Sequence, residues 1–176
     1  MKKVTMVSLG VLLAAAQVNA AEASDGTITF TGSIDSQTCA VSINGGSSSA
    51  TVTLPSVSSS VLSSAGQIAG NTRFTVELNE CSTETGEVYA YFEQGANVNA
   101  NGRLNNTGTA TNVELQLLDG ANNVLNAGST DQTTSPTTEA LTAGAATLSY
   151  SAQYYATAQA TSGTVASSVT YSINYL

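Results

Sequence analysis

The chain has 176 residues, of which 12 are Asp or Glu and only 4 are Lys or Arg, and it contains no histidine. Its acidity argues against binding to nucleic acid, where phosphate contacts from Lys and Arg dominate the affinity, and against docking on anionic lipid. Without histidine, Ser-His-Asp and Cys-His catalysis is impossible and the usual zinc sites lack ligands, so we expect no catalytic, cofactor-binding or metal-binding residues.

The first residues are typical of a secretory signal peptide. A positive start, Met1-Lys2-Lys3, precedes an apolar run over residues 4–16 and small residues up to Ala20. Thirteen apolar or small residues are too few to span a bilayer, which needs about 20. Val18 and Ala20 fit the −3 and −1 positions, which predicts cleavage after Ala20, with cleavage after Ala23 as the alternative. The exported chain then keeps two arginines against twelve acidic residues, a formal charge of −10.

The first predicted strand of the exported chain is an arm ahead of the first cysteine. Apolar residues and a glycine alternate there with Thr and Ser over residues 27–34. This period of two predicts a strand with one apolar face. The residues on that face are Ile28, Phe30, Gly32 and Ile34.

Cys39 and Cys81 are the only two cysteines. In an exported protein an even pair most simply forms one disulfide, and closing a loop of this size stabilises the fold by about 4 kcal/mol on the entropy model. The alternative is a pair of buried thiols. The long separation between the two residues excludes a catalytic CxxC motif.

The rest of the chain is predicted to form an all-β sandwich. Runs in which apolar and polar residues alternate are separated by clusters of Gly, Asn and Ser, and no long window has helical periodicity. A helical turn is expected only near residues 61–65. Loops are expected over residues 95–108 and 127–144. Strands are predicted over residues 39–43, 50–54, 73–80, 87–93, 113–117, 124–125, 148–154 and 165–176.

The last strand alternates as the arm does and runs to Leu176. Its apolar face consists of Val169, Tyr171, Ile173 and Tyr175. Neither this strand nor the arm has an obvious partner in a closed domain, which suggests a subunit that lends one strand and lacks another. From alternation alone, the alternative is that both are ordinary strands that pair with each other in one closed sandwich.

Several segments, in order, resemble chaperone–usher pilins, most closely the major subunits of type 1 fimbriae. They are the arm at 26–34 followed by Cys39, the segment 73–81 that ends in the second cysteine, the segments 111–119 and 150–157, and the penultimate Tyr175. The resemblance implies an incomplete immunoglobulin-like β-sandwich that lacks its seventh strand. It also implies a signal peptide at 1–20, an N-terminal donor-strand extension at 21–36 and a pilin domain at 37–176. One departure is Leu176, where many relatives end in a polar residue.

The resemblance assigns roles to both alternating segments. Ile28, Phe30 and Ile34 would insert into the groove of another subunit, and Gly32 would allow close approach of the backbone. Tyr171 and its alternating neighbours Val169, Ile173 and Tyr175 would border the groove of this subunit, and the carboxylate of Leu176 would be held by basic residues of a chaperone.

The implied partners are other copies of the chain, related pilins, a periplasmic chaperone and an outer-membrane usher. The implied location is a fimbria on the cell surface, reached through the periplasm, where the subunit supports cell adhesion. A minor adaptor pilin of the same system and a free secreted carbohydrate-binding β-sandwich are the alternatives.

Overall fold

The computed structural model describes residues 29–31 and 39–176. The chain divides into two units, Met1–Ile34 and Asp35–Leu176. Of the first unit, the described residues have no regular secondary structure, and Phe30 is 89% exposed. Within the described ranges, no helix has the length and apolar character needed to cross a membrane.

The second unit is built from two antiparallel sheets. The larger sheet has the strand order β1 (Ala40–Ile43), β2 (Ile68–Asn79), β8 (Ala146–Ala156), β5 (Val113–Asp119) and β4 (Leu104–Asn105), with β6 (Val124–Leu125) also paired to β5. The smaller sheet has the order β7 (Glu139–Thr142), β3 (Thr85–Phe92) and β9 (Tyr171–Tyr175). A 3₁₀ turn at Ser59–Leu62 and the short helix α1 at Asp131–Thr134 lie in the connections.

The core lies between the inner faces of the two sheets. On β2 the alternating Phe74, Val76 and Leu78 are buried, and β8 places Leu148 opposite Val76. The aromatic rings of Phe74, Phe92 and Tyr150 meet with centroids 5.1–6.4 Å apart. Such alternation is what a sandwich requires of strands with one buried face, so the predicted all-β sandwich is confirmed.

The apolar run of β3 is uninterrupted, so the sequence pattern does not show which side of this strand is buried. The core of the structure shows it. Val88, Ala90 and Phe92 belong to the main buried cluster, whereas Tyr89 and Tyr91 project to the other side of the strand.

The disulfide between Cys39 and Cys81 is present, with the two Cα atoms 4.0 Å apart. Cys39 lies immediately before β1 and Cys81 follows the end of β2. The bond therefore fastens β1, an edge strand, to the neighbour with which it pairs from Ala40 to Ile43.

Several predicted segments differ from the observed elements. The strand predicted over 165–176 is observed only from Tyr171 to Tyr175, and the loop predicted over 95–108 contains β4. β2 begins at Ile68 rather than at residue 73, and the loop predicted over 127–144 contains α1 and β7. Residues 50–54 are not part of any ladder among the described residues, although their exposure alternates as a strand's would.

Candidate functional site

The final strand leaves one of its edges open. Leu176 donates its N–H to the Glu87 carbonyl, and Glu93 donates to the Thr170 carbonyl. In an antiparallel ladder these two bonds direct the even-numbered main-chain groups of β9 towards β3. The N–H and C=O groups of Tyr171, Ile173 and Tyr175 therefore point to the other edge, where no described strand pairs with β9.

A second unpaired stretch of backbone faces this edge. Residues 48–57, which we call the rim segment, form no backbone-to-backbone hydrogen bond among themselves or with any other described residue. Val52 and Leu54 are nevertheless partly buried against the core, while Thr51 and Thr53 are exposed. The rim segment thus has the side-chain facing of a strand without a strand's ladder.

Contacts at three points place the rim segment and the preceding β1 opposite the C-terminal residues. The hydroxyl of Tyr171 donates to the Ser48 carbonyl at 2.8 Å. The hydroxyl of Tyr175 donates to Sγ of Cys39 at 3.1 Å. Residues 56–57 and 163–165 also line one shared cavity of about 410 Å³.

We call residues 163–175 the C-terminal wall, and the space between this wall and the rim segment the groove. The partly buried apolar side chains that pack against the core from the two walls are Val41, Val52, Leu54, Val165, Val169, Tyr171, Ile173 and Tyr175. Burial raises the pKa of the Tyr171 and Tyr175 hydroxyls above the ordinary value of 10.0. Both tyrosines therefore stay neutral donors throughout the physiological pH range.

Charge is absent from both walls. No Asp, Glu, Lys or Arg occurs in residues 36–72 or in residues 140–176, which contain the rim segment and the C-terminal wall. Within the described ranges, no three His, Cys, Asp or Glu side chains are grouped so that they could hold a metal ion. The walls themselves therefore offer an occupant burial and main-chain hydrogen bonds and carry no charged side chain, although the Glu93 carboxylate accepts from the Thr170 hydroxyl of the C-terminal wall at 3.2 Å.

By contrast, the edge of β3 that faces away from β9 is closed where β7 ends. Beyond β7, the Ala90 N–H donates to the Tyr150 hydroxyl at 3.0 Å. The side-chain amide of Gln132 then accepts from the Phe92 N–H and donates to the Phe92 carbonyl, each at 3.0 Å. Side chains there take the place of a neighbouring strand. The open edge of β9 has no such cover among the described residues.

The predicted site residues fall into two groups. Of the arm, Ile28, Gly32 and Ile34 lie outside the described residues, and Phe30 is exposed. The predicted groove-edge residues all lie along one wall, and the side chain of Leu176 is 71% exposed at its end. Sequence reasoning did not assign the rim segment to the site, although the alternation over residues 50–54 was a signal for it.

Comparison with known proteins agrees with this architecture. The family model described as "Fimbrial protein" matches residues 28–176. The chain is 49% identical over 173 residues to the major fimbrial subunit SMF-1 of Stenotrophomonas maltophilia, covering 93% of this chain and 99% of the relative. It is 44% identical over 184 residues to the F17 fimbrial protein of Escherichia coli, covering 99% of each.

Among solved structures, the P pilus rod subunit PapA is similar in fold. The TM-score is 0.57 at 20% identity, and the match covers 78% of this chain and 99% of PapA. This likeness supports the immunoglobulin-like pilin fold that the sequence predicted. With the family match over most of the chain, it follows that the protein belongs to the fimbrial protein family and is a structural subunit of an extracellular fimbria.

Proposed function

We propose that the subunit polymerises by donor-strand exchange, in which residues 27–34 of one copy fill the groove of another. On this proposal residues 1–20 are a signal peptide, residues 21–36 are the donor-strand extension and residues 37–176 are the domain that receives a strand. The resulting fibre supports adhesion of the cell that carries it.

The observation that carries the proposal is the pair of unpaired backbone edges on either side of an apolar groove. Unpaired edges beside exposed apolar side chains are a template for another strand. From Ser48 to Ser56 the rim segment extends about 26 Å at roughly 3.3 Å per residue, and residues 27–34 extend about 23 Å by the same measure, so the two lengths agree to within one residue. The groove and the arm therefore match in length as well as in chemistry.

Burial provides a driving force for insertion. The apolar face of the arm, with Ile28, Phe30 and Ile34, gains about 1.5–3 kcal/mol for each side chain that the groove covers. The hydroxyl oxygen of Ser167, on the C-terminal wall, is buried without a hydrogen-bond partner among the described residues. A buried hydroxyl of this kind is unfavourable, and an inserted strand brings main-chain donors and acceptors close to it.

An empty groove would also need protection during export. Because open edges beside apolar side chains promote aggregation, we propose that a periplasmic chaperone covers the groove and that an outer-membrane usher exchanges it for the arm of the next subunit. The exposed Leu176, with its free carboxylate, would be the contact for basic residues of the chaperone.

A matched pair of substitutions in the arm tests the exchange. Phe30→Asp places a charge on the face that enters the groove, and we expect at least a 100-fold loss of assembly because burying an unpaired carboxylate is costly. Thr31→Asp places the same charge on the outward face, and assembly should stay within a few-fold of the unmodified chain. The measurement is the yield of multimer ladders after gentle heating in detergent.

Deletion of residues 21–36 is the complementary test. The shortened chain should fail to polymerise and should still bind the chaperone. Polymerisation of this chain, or equal assembly of the Phe30→Asp and Thr31→Asp chains, would show that the arm is not the donated strand.

A further inference from the structure

The rim segment is held in place by side chains rather than by a ladder. Two tyrosine hydroxyls from outside the segment reach its main chain. Tyr171 donates to the Ser48 carbonyl at 2.8 Å and Tyr154 donates to the Pro55 carbonyl at 3.2 Å. The two hydrogen bonds lie seven residues apart, one near each end of the segment, and residues 50–54 between them have no main-chain partner among the described residues.

The hydrogen bond at Ser48 ties the start of the rim segment to the final strand. Tyr171 lies on β9, and its hydroxyl donates to the Ser48 carbonyl at 2.8 Å. Because no main-chain hydrogen bond joins the rim segment to β9 among the described residues, this side-chain hydrogen bond is what links their backbones at that point.

Tyr154 secures the other end from the floor of the groove. It lies on β8, its ring lines the 410 Å³ cavity, and it packs against Gly70. Gly70 has a φ of +66°, and a Cβ added there would lie 2.8 Å from two atoms of the Tyr154 ring. The absence of a side chain at Gly70 is thus what allows the ring to point at Pro55.

We propose that Tyr171 and Tyr154 are positioning residues that hold the two ends of the rim segment at the border of the groove, so that its unpaired backbone is presented to an incoming strand. The inference rests on the donor-strand function proposed above. Without the hydroxyls, only a fraction of subunits would present an open groove, and the rate of strand entry would fall in proportion to that fraction. Once a strand is inserted, its own ladder holds the rim segment, so the rate of strand loss should change little.

The test measures entry and loss of a strand separately. A fluorescent peptide with the sequence of residues 26–34 is mixed with the exported chain carrying Phe30→Asp, so that the chain's own arm does not compete. Tyr171→Phe and Tyr154→Phe each remove one hydroxyl and keep the ring. Tyr91→Phe is the matched control, since the Tyr91 hydroxyl has no hydrogen-bond partner among the described residues and lies on the other side of β3.

We expect each groove variant to slow peptide association about 5-fold and the double variant about 20-fold, which is what hydrogen bonds of this kind contribute to an equilibrium. Dissociation should stay within 2-fold, and Tyr91→Phe should change neither rate. A substitution that merely loosened the fold would instead speed dissociation.

Two other outcomes separate this inference from the function on which it rests. If the groove variants associate as fast as the control or faster, the tyrosines do not hold the groove open, and the inference is wrong while donor-strand exchange stands. If the chain with all its tyrosines fails to bind the peptide at all, donor-strand exchange itself is contradicted.

Discussion

Asp119 shows how a single carboxylate can organise a turn. It ends β5, and its Oδ1 accepts the N–H groups of Ala121 and Asn123 at 2.9 and 2.8 Å. Its Oδ2 accepts the Asn123 side-chain amide at 3.0 Å and the Thr137 hydroxyl at 2.7 Å. Burial by itself raises the pKa of Asp119, but these hydrogen bonds to the charged form outweigh burial and leave the pKa below its ordinary value of 3.8.

Replacing Asp119 should therefore cost stability in a pH-dependent way. Because the pKa is lower in the folded state, the charged carboxylate stabilises the fold fully above the ordinary Asp pKa, and this contribution is lost as the pH falls through the folded value. We expect Asp119→Asn to lower the free energy of unfolding by about 1–3 kcal/mol at pH 7. The difference from the unmodified chain should shrink at about pH 3.

Urea unfolding at both pH values measures this effect. Asp131→Asn is the control, since the Asp131 side chain is exposed on α1 and accepts no hydrogen bond from a described residue. An equal loss of stability at neutral and acidic pH would mean that the hydrogen bonds do not favour the charged form of Asp119.

At the scale of elements, alternation in the sequence predicted which way side chains face better than it predicted which strands pair. Val52 and Leu54 face the core as expected, yet residues 50–54 form no ladder with any described strand. Residues 165–170 also alternate in exposure before β9 begins at Tyr171, although Ala166 and Thr170 accept main-chain hydrogen bonds from Thr107 and Glu93. Alternation with a period of two indicates that one side of a strand is buried. A ladder also needs a neighbouring strand, and on our proposal the strand that pairs with residues 50–54 belongs to another copy of the chain.

The missed elements have other causes. The first residues of β2 include Gly70 and Asn71, which are turn residues in most sequences, but here Gly70 accommodates a register shift between Ala69 and Thr72. Helix α1 and β7 lie in a stretch rich in Thr and Ser without periodicity. The side chain of Gln132 is buried against the main chain of Phe92, and no local sequence pattern predicts this contact.

The disulfide determines how firmly β1 is attached, because β1 has only four residues and a single neighbour. Cys39 and Cys81 enclose a sequence separation of 42 residues. Removing both sulfurs with Cys39→Ser and Cys81→Ser should lower the free energy of unfolding by about 4 kcal/mol on the loop-entropy model. Because β1 continues into the rim segment, the yield of chaperone-bound subunit should also fall.

Urea unfolding of the double variant measures the stability change, and addition of a reductant provides the control. The reductant should destabilise the unmodified chain to the level of the double variant and leave the double variant unchanged. A difference below about 1 kcal/mol between the oxidised chain and the double variant would show that the bond is not what holds β1 in place.

At the scale of the whole molecule, neither wall of the groove carries a charged side chain of its own. All charged side chains of residues 39–176 fall within residues 73–139, for example the ion pair of Arg103 with Glu114 at 2.5 Å. The arm at 26–34 is uncharged as well, and aspartates at 25 and 35 stand on either side of it. With charged side chains distributed in this way, recognition between arm and groove depends on burial and main-chain hydrogen bonds. Elsewhere, the acidic exterior makes subunits repel one another.

The link between subunits should therefore be almost insensitive to salt. Binding of the peptide 26–34 to the Phe30→Asp chain should change less than about 2-fold in either rate between roughly 20 and 500 mM salt, although the Debye length falls from about 20 to 4 Å over that range. A peptide carrying Thr31→Lys gives the contrast. Its lysine lies on the outward face, where the net negative subunit attracts it at low salt, so its association should slow several-fold as salt rises. If the unmodified peptide showed the same salt dependence as the lysine peptide, long-range charge would be guiding strand entry, and a neutral groove could not account for the assembly of the fibre.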